Sequence, residues 1–518
     1  MTDNRNTTIA WTYHDATKHS YWSVRTSAHY LDWENQPLPF KIYPELEVIP
    51  LPRDVPETNV PAFAALGAPI PPPAPSANST EALPTLAALA HILFYSAGIT
   101  KKKTYPGGEF FFRAAACAGA LYPIEVYIVC GDLPDLPAGV YHFNPADFGL
   151  RRLRTGDYRP YLAAAAAHEP SVLWAPVIFV YTAISWRSAW KYRARAYRYH
   201  FWDCGMILAN AMAAAAAWRL PHKLILGFQD EMVDRLIGID GERELSLALL
   251  ALGQAAQPVP MSSEETQVPA LTWAVVPLSR EEVSYPLIHE MHAASRLRSA
   301  AEVEAWRAHP FQKREPEPSA SLLPLNPLPP SALPEESLES VVRRRASTRR
   351  FARKPISSAE LATILDYGMR RFPCDAPDAP LNDLYVNVHA VSPLEPGAYV
   401  VHHNRRAWER LKSGDFRRES RYLCLEQDLG GDASATVFFL ADLHAILAHY
   451  GNRGYRLAQL EAGIIGGKMY LAAYALRRGA TGLTFYDDDV TEFFAPHAEG
   501  KSAIFVMALG VAGPRPRW

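Results

Sequence analysis

The sequence lacks any paired cysteine motif. Its five cysteines, Cys117, Cys130, Cys204, Cys374 and Cys424, are scattered, odd in number and free of any C-x-x-C spacing. That argues against a disulfide framework and a structural zinc cluster, and it fits a reducing cytoplasm. No run of about 20 uncharged apolar residues occurs, so no membrane span is expected. The nearest stretch, Met206 to Trp218, is Ala-rich, broken by Asn210 and too short; it reads as a buried helix. The opening MTDNRNTTIA has no basic segment followed by an apolar one, so no secretory signal is expected. An excess of charge is also missing. A formal net charge of −2 gives no reason to expect nucleic acid or an anionic membrane as partner.

What is present is a globular composition, 49% hydrophobic and 20% charged, over 518 residues. That length predicts two domains. Residues 1–80 form a Trp- and Pro-rich arm ending in PIPPPAPSANS, which should lie extended. Residues 81–310 carry mixed helix and strand patterns. Residues 311–336 are Pro-rich and read as a linker, and residues 337–518 form a second compact segment. The two segments are related. A slide of 258 residues lays Gly139-Val140-Tyr141 on Gly397-Ala398-Tyr399, and Tyr127 on Tyr385. It also lays Tyr192, Arg195, Tyr197, Arg198 and Gly205 on Tyr450, Arg453, Tyr455, Arg456 and Gly463, and Asp230 on Asp488. A repeat this long is a duplicated domain, and duplicated domains often pack as a homodimer would.

Both halves predict the same elements. Short strands rich in β-branched and aromatic residues fall at 126–129 and 384–388, and buried central strands at 177–182 and 436–440. Long helices follow at 197–218 and 455–478, the second stopped by Arg478-Gly479, and each half closes on an apolar strand, 245–252 and 503–509. The fold class is α+β, with helices packed on a mainly antiparallel sheet in each half.

Three motifs carry chemistry. Arg344-Arg345-Ala346-Ser347-Thr348-Arg349-Arg350-Phe351 gathers guanidinium forks and a hydroxyl suited to a phosphate, although such runs are more often solvated patches. Followed by Lys354-Pro355-Ile356 and a helix starting near Ser357, it resembles the opening of nitroreductase-superfamily domains. That resemblance implies that Arg345, Ala346, Ser347 and Arg349 hold the ribityl phosphate of FMN. The second motif, Arg113 to Pro123, is similar to the ring-lining segment of that family in its A-G-A-L-Y-P form, which implies that Cys117, Ala118, Gly119, Ala120, Leu121 and Tyr122 line the isoalloxazine. Small residues there let backbone approach a flat ring. Cys117 stands where Ser is usual, and Ala116 where Pro is usual. The third motif, Gly227-Phe228-Gln229-Asp230, resembles the family's G-F-D segment, whose backbone N–H faces flavin N5. Its partner in the second half is Thr484-Phe485, read with Phe485 in place of the Gly; a main-chain donor survives that change. Asp487-Asp488-Asp489 reads as a solvated acidic turn, and no metal site is expected.

The arm segments Tyr13-His14-Asp15-Ala16-Thr17-Lys18 and Lys41-Ile42-Tyr43-Pro44 look like the opening of SagB-type dehydrogenases, a branch that oxidises azolines. The resemblance implies two nitroreductase-like domains forming a pseudo-dimer, with FMN at their interface. The first domain lacks the arginine motif, and the second has Asp375-Ala376-Pro377-Asp378-Ala379-Pro380 in place of the ring-lining segment. The losses are complementary, so one FMN site per chain and one dead site are expected. Arg515 and Arg517 follow the last strand, where family members often place a basic pair on the phosphate. The branch also implies a catalytic pair, Lys191-Tyr192, with His449-Tyr450 as its second-half match; three nearby arginines are expected to lower the Tyr192 pKa. The leading expectation is an FMN-dependent oxidation of thiazoline or oxazoline in a peptide to the azole. The alternatives are an NAD(P)H-dependent reductase of nitro compounds or quinones, and a flavin-free scaffold subunit. The expected partners are a small-molecule or peptide substrate and a peptide-modifying complex. The sequence leaves open which half's pair faces the flavin and whether chains dimerise further.

Overall fold

The computed structural model describes residues 3–74, 81–105, 108–261, 267–309, 311–313, 317–318, 321–376 and 380–514. It contains two seven-stranded sheets with one strand order. In the first, Ile49–Pro50, Gly149–Thr155, Gly139–Asn144, Ile124–Cys130, Val177–Ile184, Glu244–Leu252 and His222–Ile225 lie side by side, every pair antiparallel. The second repeats the order with Leu322–Pro324, Ala407–Ser413, Gly397–His402, Asn382–Val388, Ala435–Ala441, Ser502–Gly510 and Gly479–Leu483. The expected α+β architecture in duplicate is what forms. The central strands Val177–Ile184 and Ala435–Ala441 are buried at every position, which is why they read as unbroken apolar runs rather than alternating ones.

Two long helices, Ala196–Ala217 and Arg453–Ala475, cross at the centre. The first is buried along its whole length, and its Ala-rich second half permits this because small side chains leave no polar face to solvate. They cross at a matched pair of glycines. A Cβ on Gly205 would lie 2.6 Å from the Gly463 carbonyl carbon, and one on Gly463 would lie 2.6 Å from the Trp202 carbonyl oxygen. Backbone touches backbone here, so no side chain can swing aside.

The repeat is longer than the sequence suggested. The arm helix Thr8–Ala16 and the helix Pro286–Ala294 occupy equivalent places. His14 and Thr17 accept from Arg198 through a carbonyl and a hydroxyl, and His292 and Ser295 accept from Arg456 in the same way. The linker also contributes: Leu322–Pro324 pairs with Ala407–Glu409 as the arm's Ile49–Pro50 pairs with Gly149–Leu150. Pro is tolerated because both are edge strands. Of the Pro-rich run closing the arm, residues 75–80 lie outside the described residues.

Two local readings are corrected. The helix Arg453–Ala475 ends before Arg478-Gly479; the left-handed residue behind it is Arg477, φ 58°. Gly479 instead starts a strand, where a Cβ would lie 2.5 Å from the Thr348 hydroxyl. The slide also loses one residue near the third motif. His222 pairs with Leu252, whereas Gly479 pairs with Gly510, so Asp230 matches Asp487 rather than Asp488. Each of these aspartates opens a short helix. The helix at 358–369 begins as expected, with Ser357 and Glu360 forming a capping box.

Gly205→Ala should destabilise the protein by at least about 3 kcal/mol, the upper end of overpacking costs, because rigid backbone must move. Thermal denaturation checks this; an unchanged midpoint would mean the helices do not meet at these glycines.

Candidate active site

The loop between strands Gly108–Arg113 and Ile124–Cys130 is held in a strained form. Gly119, Ala120 and Tyr122 have φ of 63°, 55° and 50°, a region costly for the two non-glycine residues. Several contacts impose it. Asp203, on the long helix Ala196–Ala217, accepts from the Ala118 N–H at 2.8 Å and from the Cys117 thiol at 3.1 Å. The thiol sulfur in turn accepts from the Tyr122 N–H at 3.2 Å. The Cys117 thiol thus donates and accepts at once, as a hydroxyl there would. Burial pushes the Cys117 thiol up, so it stays protonated, and pushes the Asp203 carboxyl up to about 7 against its two donors. Leu121 and Tyr122 are buried behind the loop, whereas Gly119 and Ala120 form its exposed crest.

The arginine motif of the second half reaches this loop. Arg345 donates through Nε to the Ala114 carbonyl and through Nη2 to the Arg113 carbonyl, each at 2.9 Å. Ser347 Oγ lies 3.2 Å from Tyr470 Oη, which also accepts from the Gly482 N–H. The neighbouring arginines sort themselves. Arg343 pairs with Glu57, Arg344 with Glu336 and Arg353 with Asp432. Arg345 and Arg349 have no carboxylate partner among the described residues. Burial lowers the Arg345 pKa, and its electrostatic neighbours are Tyr470, Tyr122, Tyr474 and Cys117. A desolvated guanidinium without an acid beside it favours an anion.

Lys191 and Tyr192 complete the cluster. A Cβ on Gly119 would lie 2.7 Å from Tyr192 Oη. Burial lowers the Lys191 pKa, and Arg349 lowers it further, so the amine and the second-half arginine share one field. The expectation for Tyr192 is corrected. Burial raises its pKa well above the usual value, with Tyr199, Asp203 and Cys117 adding to the rise and only Arg349 opposing it. Two of the three arginines expected to help, Arg195 and Arg198, are committed to Asp487 at 2.9 and 2.6 Å. The match His449-Tyr450 is elsewhere, packed against Trp306 and Phe311.

The third motif is corrected in register. With the slide one residue shorter, Thr484 stands at the Gly227 position and Phe485 matches Phe228. Phe485 is buried under the Arg195 guanidinium and beside Trp202. Thr484 carries a buried hydroxyl without a hydrogen-bond partner among the described residues. The solvated acidic turn is also corrected: Asp487 is 2% exposed and bridges two arginines, although Asp488 is exposed and pairs with Lys18. The mirror pairing, Arg453 and Arg456 with Asp230, crosses the halves in the other direction. Arg515 and Arg517 lie outside the described residues.

The equivalent place in the other half is closed. Asp375, which matches Cys117, accepts from the Leu226 and Gly227 N–H groups at 2.7 and 3.0 Å. Arg307 pairs with Asp375 at 2.8 Å and also binds the Gly227 carbonyl. Trp306 lies over Gly227, 3.0 Å from where a Cβ would stand. The Leu226 and Gly227 amides are thereby already bonded. A cavity of about 50 Å³ lies behind this plug, walled by Leu224, Met369, Cys374, Leu460 and Ile465. It is larger than the cavity of about 10 Å³ behind Cys117.

Fold and site define a class. The nitroreductase family matches residues 80–254 and again 342–512, and the chain belongs to that family as a tandem duplication. A crystal structure of a protein from Anabaena variabilis, provisionally named a nitroreductase, is 28% identical over 98% of this chain and 99% of its own, with a TM-score of 0.79. A protein of Methanocaldococcus jannaschii, also provisionally named a nitroreductase, is 27% identical over 170 residues, 33% of this chain and 81% of its own length. The trifolitoxin-processing protein TfxB of Rhizobium leguminosarum bv. trifolii is 30% identical over 155 residues, 29% of this chain; the chain spans 42% of TfxB. Among the described residues, no helix is long and apolar enough to cross a membrane.

Asp487 generates a pH prediction. Burial pushes its carboxyl up, but Arg195 and Arg198 more than reverse this and hold it at about 2. A depressed folded value gives stability that is present above the unfolded value of about 3.9 and is lost as pH falls toward about 2. Asp487→Asn should therefore cost about 3–5 kcal/mol at neutral pH, by stranding two guanidinium groups. The gap from the unaltered protein should narrow below pH 4. Melting midpoints across that range measure it, and a gap that does not change with pH would refute the assignment.

Proposed function

We propose that this chain is an FMN-dependent oxidoreductase with one flavin site per chain, and that it is a SagB-type dehydrogenase that oxidises azolines in peptides to azoles. The observation that carries the reading is the meeting of unpaired Arg345 and Arg349 from one half with the Cys117–Tyr122 loop and Lys191-Tyr192 from the other. The residues fit the cofactor. Arg345, Ser347 and Arg349 supply cation and hydroxyl donors for a phosphate. The crest Gly119-Ala120 is exposed and carries only small residues, and the Thr484 hydroxyl, without a partner among the described residues, offers a further hydrogen bond. FMN, when bound, would supply a two-electron acceptor, with molecular oxygen as the terminal oxidant.

Converting an azoline to an azole removes a hydride and a proton. Lys191 is the group to take the proton: it is exposed beside Tyr192, and partial desolvation and the Arg349 charge both lower its pKa. Tyr192 keeps its own proton and positions the substrate beside Gly119. A hairpin, Ile99–Tyr105 with Gly108–Arg113, leads straight into the loop and exposes Lys101, Lys103, Tyr105 and Phe110. The other half has no such hairpin between helix Ser358–Met369 and Cys374. Its cationic and aromatic surface suits an extended peptide, and the relation to TfxB supports a peptide-modifying setting.

Purified protein should be yellow, with about one FMN per chain. Arg345→Ala should strip the flavin, whereas Asp375→Asn should not, as read by absorbance and released FMN; a colourless unaltered protein would defeat the proposal. Lys191→Gln should keep the flavin yet slow oxidation of a thiazoline peptide by at least about 100-fold. The rate of the unaltered enzyme should rise with pH, with an apparent pKa below the usual lysine value of about 10.4. Rapid, steady NADPH consumption with nitroaromatics and no azoline oxidation would instead make it a reductase.

A further inference from the structure

The second half brings together two imidazoles and a carboxylate that the candidate active site does not use. His402 ends strand Gly397–His402, Glu409 lies in strand Ala407–Ser413, and His497 lies in the loop after helix Asp487–Phe493. One ligand atom from each falls within 4.8 Å of the others. His402 Nε2 is 2.8 Å from Glu409 Oε2, and His497 Nε2 is 4.0 Å from that same oxygen. The Glu409 and His402 side chains are 0% and 2% exposed, and that of His497 is 11% exposed. The first half has no such group: Asn144 and Arg151 occupy the strand positions of His402 and Glu409.

The orientation of His497 is the informative detail. Its Nδ1 lies 2.8 Å from Tyr385 Oη, and its Nε2 is buried without a hydrogen-bond partner. With Nδ1 engaged by Tyr385, the other nitrogen has no hydrogen-bond partner among the described residues and faces a carboxylate oxygen 4.0 Å away. Two donor atoms across such a gap suit a cation between them. A tetrahedral zinc with bonds of about 2.0–2.2 Å holds its ligand atoms roughly 3.4 Å apart, a spacing that 2.8 and 4.0 Å bracket. The support around the ring is also of the expected kind. Tyr385 is held at 3.0 Å by Lys501, which pairs with Asp383 at 2.6 Å, and such outer partners fix the tautomer and direction of a ligating imidazole.

We propose that His402, Glu409 and His497 form a divalent transition-metal site, zinc by ligand type, with water as a fourth ligand. The metal clamps the loop carrying His497 to the hairpin carrying His402 and Glu409. Its role is structural, holding two segments of the second half together, and no redox step is involved.

The full chain, stripped by chelator and dialysed, is titrated with zinc alone by calorimetry, and separately with cobalt followed by visible absorption. One saturable site of micromolar or tighter affinity is expected, together with the intense ligand-field bands of four-coordinate cobalt. His497→Ala and His402→Ala, checked for folding by circular dichroism, should weaken zinc binding by at least about 100-fold, and Tyr385→Phe by about 10-fold. Zinc should raise the melting temperature of the unaltered protein but not of His497→Ala, with flavin content equal in both. The cobalt spectrum is independent of whether any variant folds. Absence of saturable zinc binding, affinity unchanged by His497→Ala, or the pale spectrum of six-coordinate cobalt would each overturn the proposal.

Discussion

Gly205 and Gly463 leave no room for a side chain where the two long helices cross, and the arrangement of the halves depends on that contact. Backbone-to-backbone approach fixes how far apart the helices lie and at what height they meet. It thereby brings the start of each helix to the other half's third motif. The reciprocal ion pairs follow, with Arg195 and Arg198 reaching Asp487 while Arg453 and Arg456 reach Asp230. Each aspartate is buried and each pair crosses the interface. Buried pairs of this kind contribute little net stability but penalise any arrangement that separates them, so they act as a register for the pseudo-dimer.

Two equivalent places result, and they differ in their chemistry. At the first, a thiol and an aspartate shape a loop with an exposed small-residue crest, and unpaired guanidinium groups face it from the other half. At the second, a carboxylate at the Cys117 position turns inward and takes the backbone N–H groups for itself, with Arg307 and Trp306 closing over them. Replacing a neutral thiol by a charged group converts an open loop into a plug.

Much of this was legible along the chain. Unbroken apolar runs marked the central strands, and the Ser357 cap marked a helix start. The complementary losses of arginine motif and small-residue loop foretold which groups would meet. The misread details share a cause. A one-residue shift near Asp230 cannot be seen by sliding a sequence, but the ladder pairs of the closing strands fix it. Asp487 looked like one of three solvated acids because its partners, Arg195 and Arg198, lie far away in sequence. Tyr192 seemed surrounded by helpful arginines, yet proximity along a chain says little about where a guanidinium points. The arm repeat at Pro286–Ala294 escaped notice because its sequence has drifted while its hydrogen bonds to Arg456 have not.

By itself the sequence determined the number of halves, their α+β class, the family and the identity of the groups available for chemistry, since these follow from periodicity, composition and short motifs. Only the tertiary structure decided which carboxylate neutralises which arginine and which cations stay unpaired. It also decided that Lys191-Tyr192, and not His449-Tyr450, stands beside the loop, and which histidines converge on Glu409. Those choices rest on distances between residues hundreds of positions apart, and on burial that shifts the charge of a side chain; neither is encoded in local pattern.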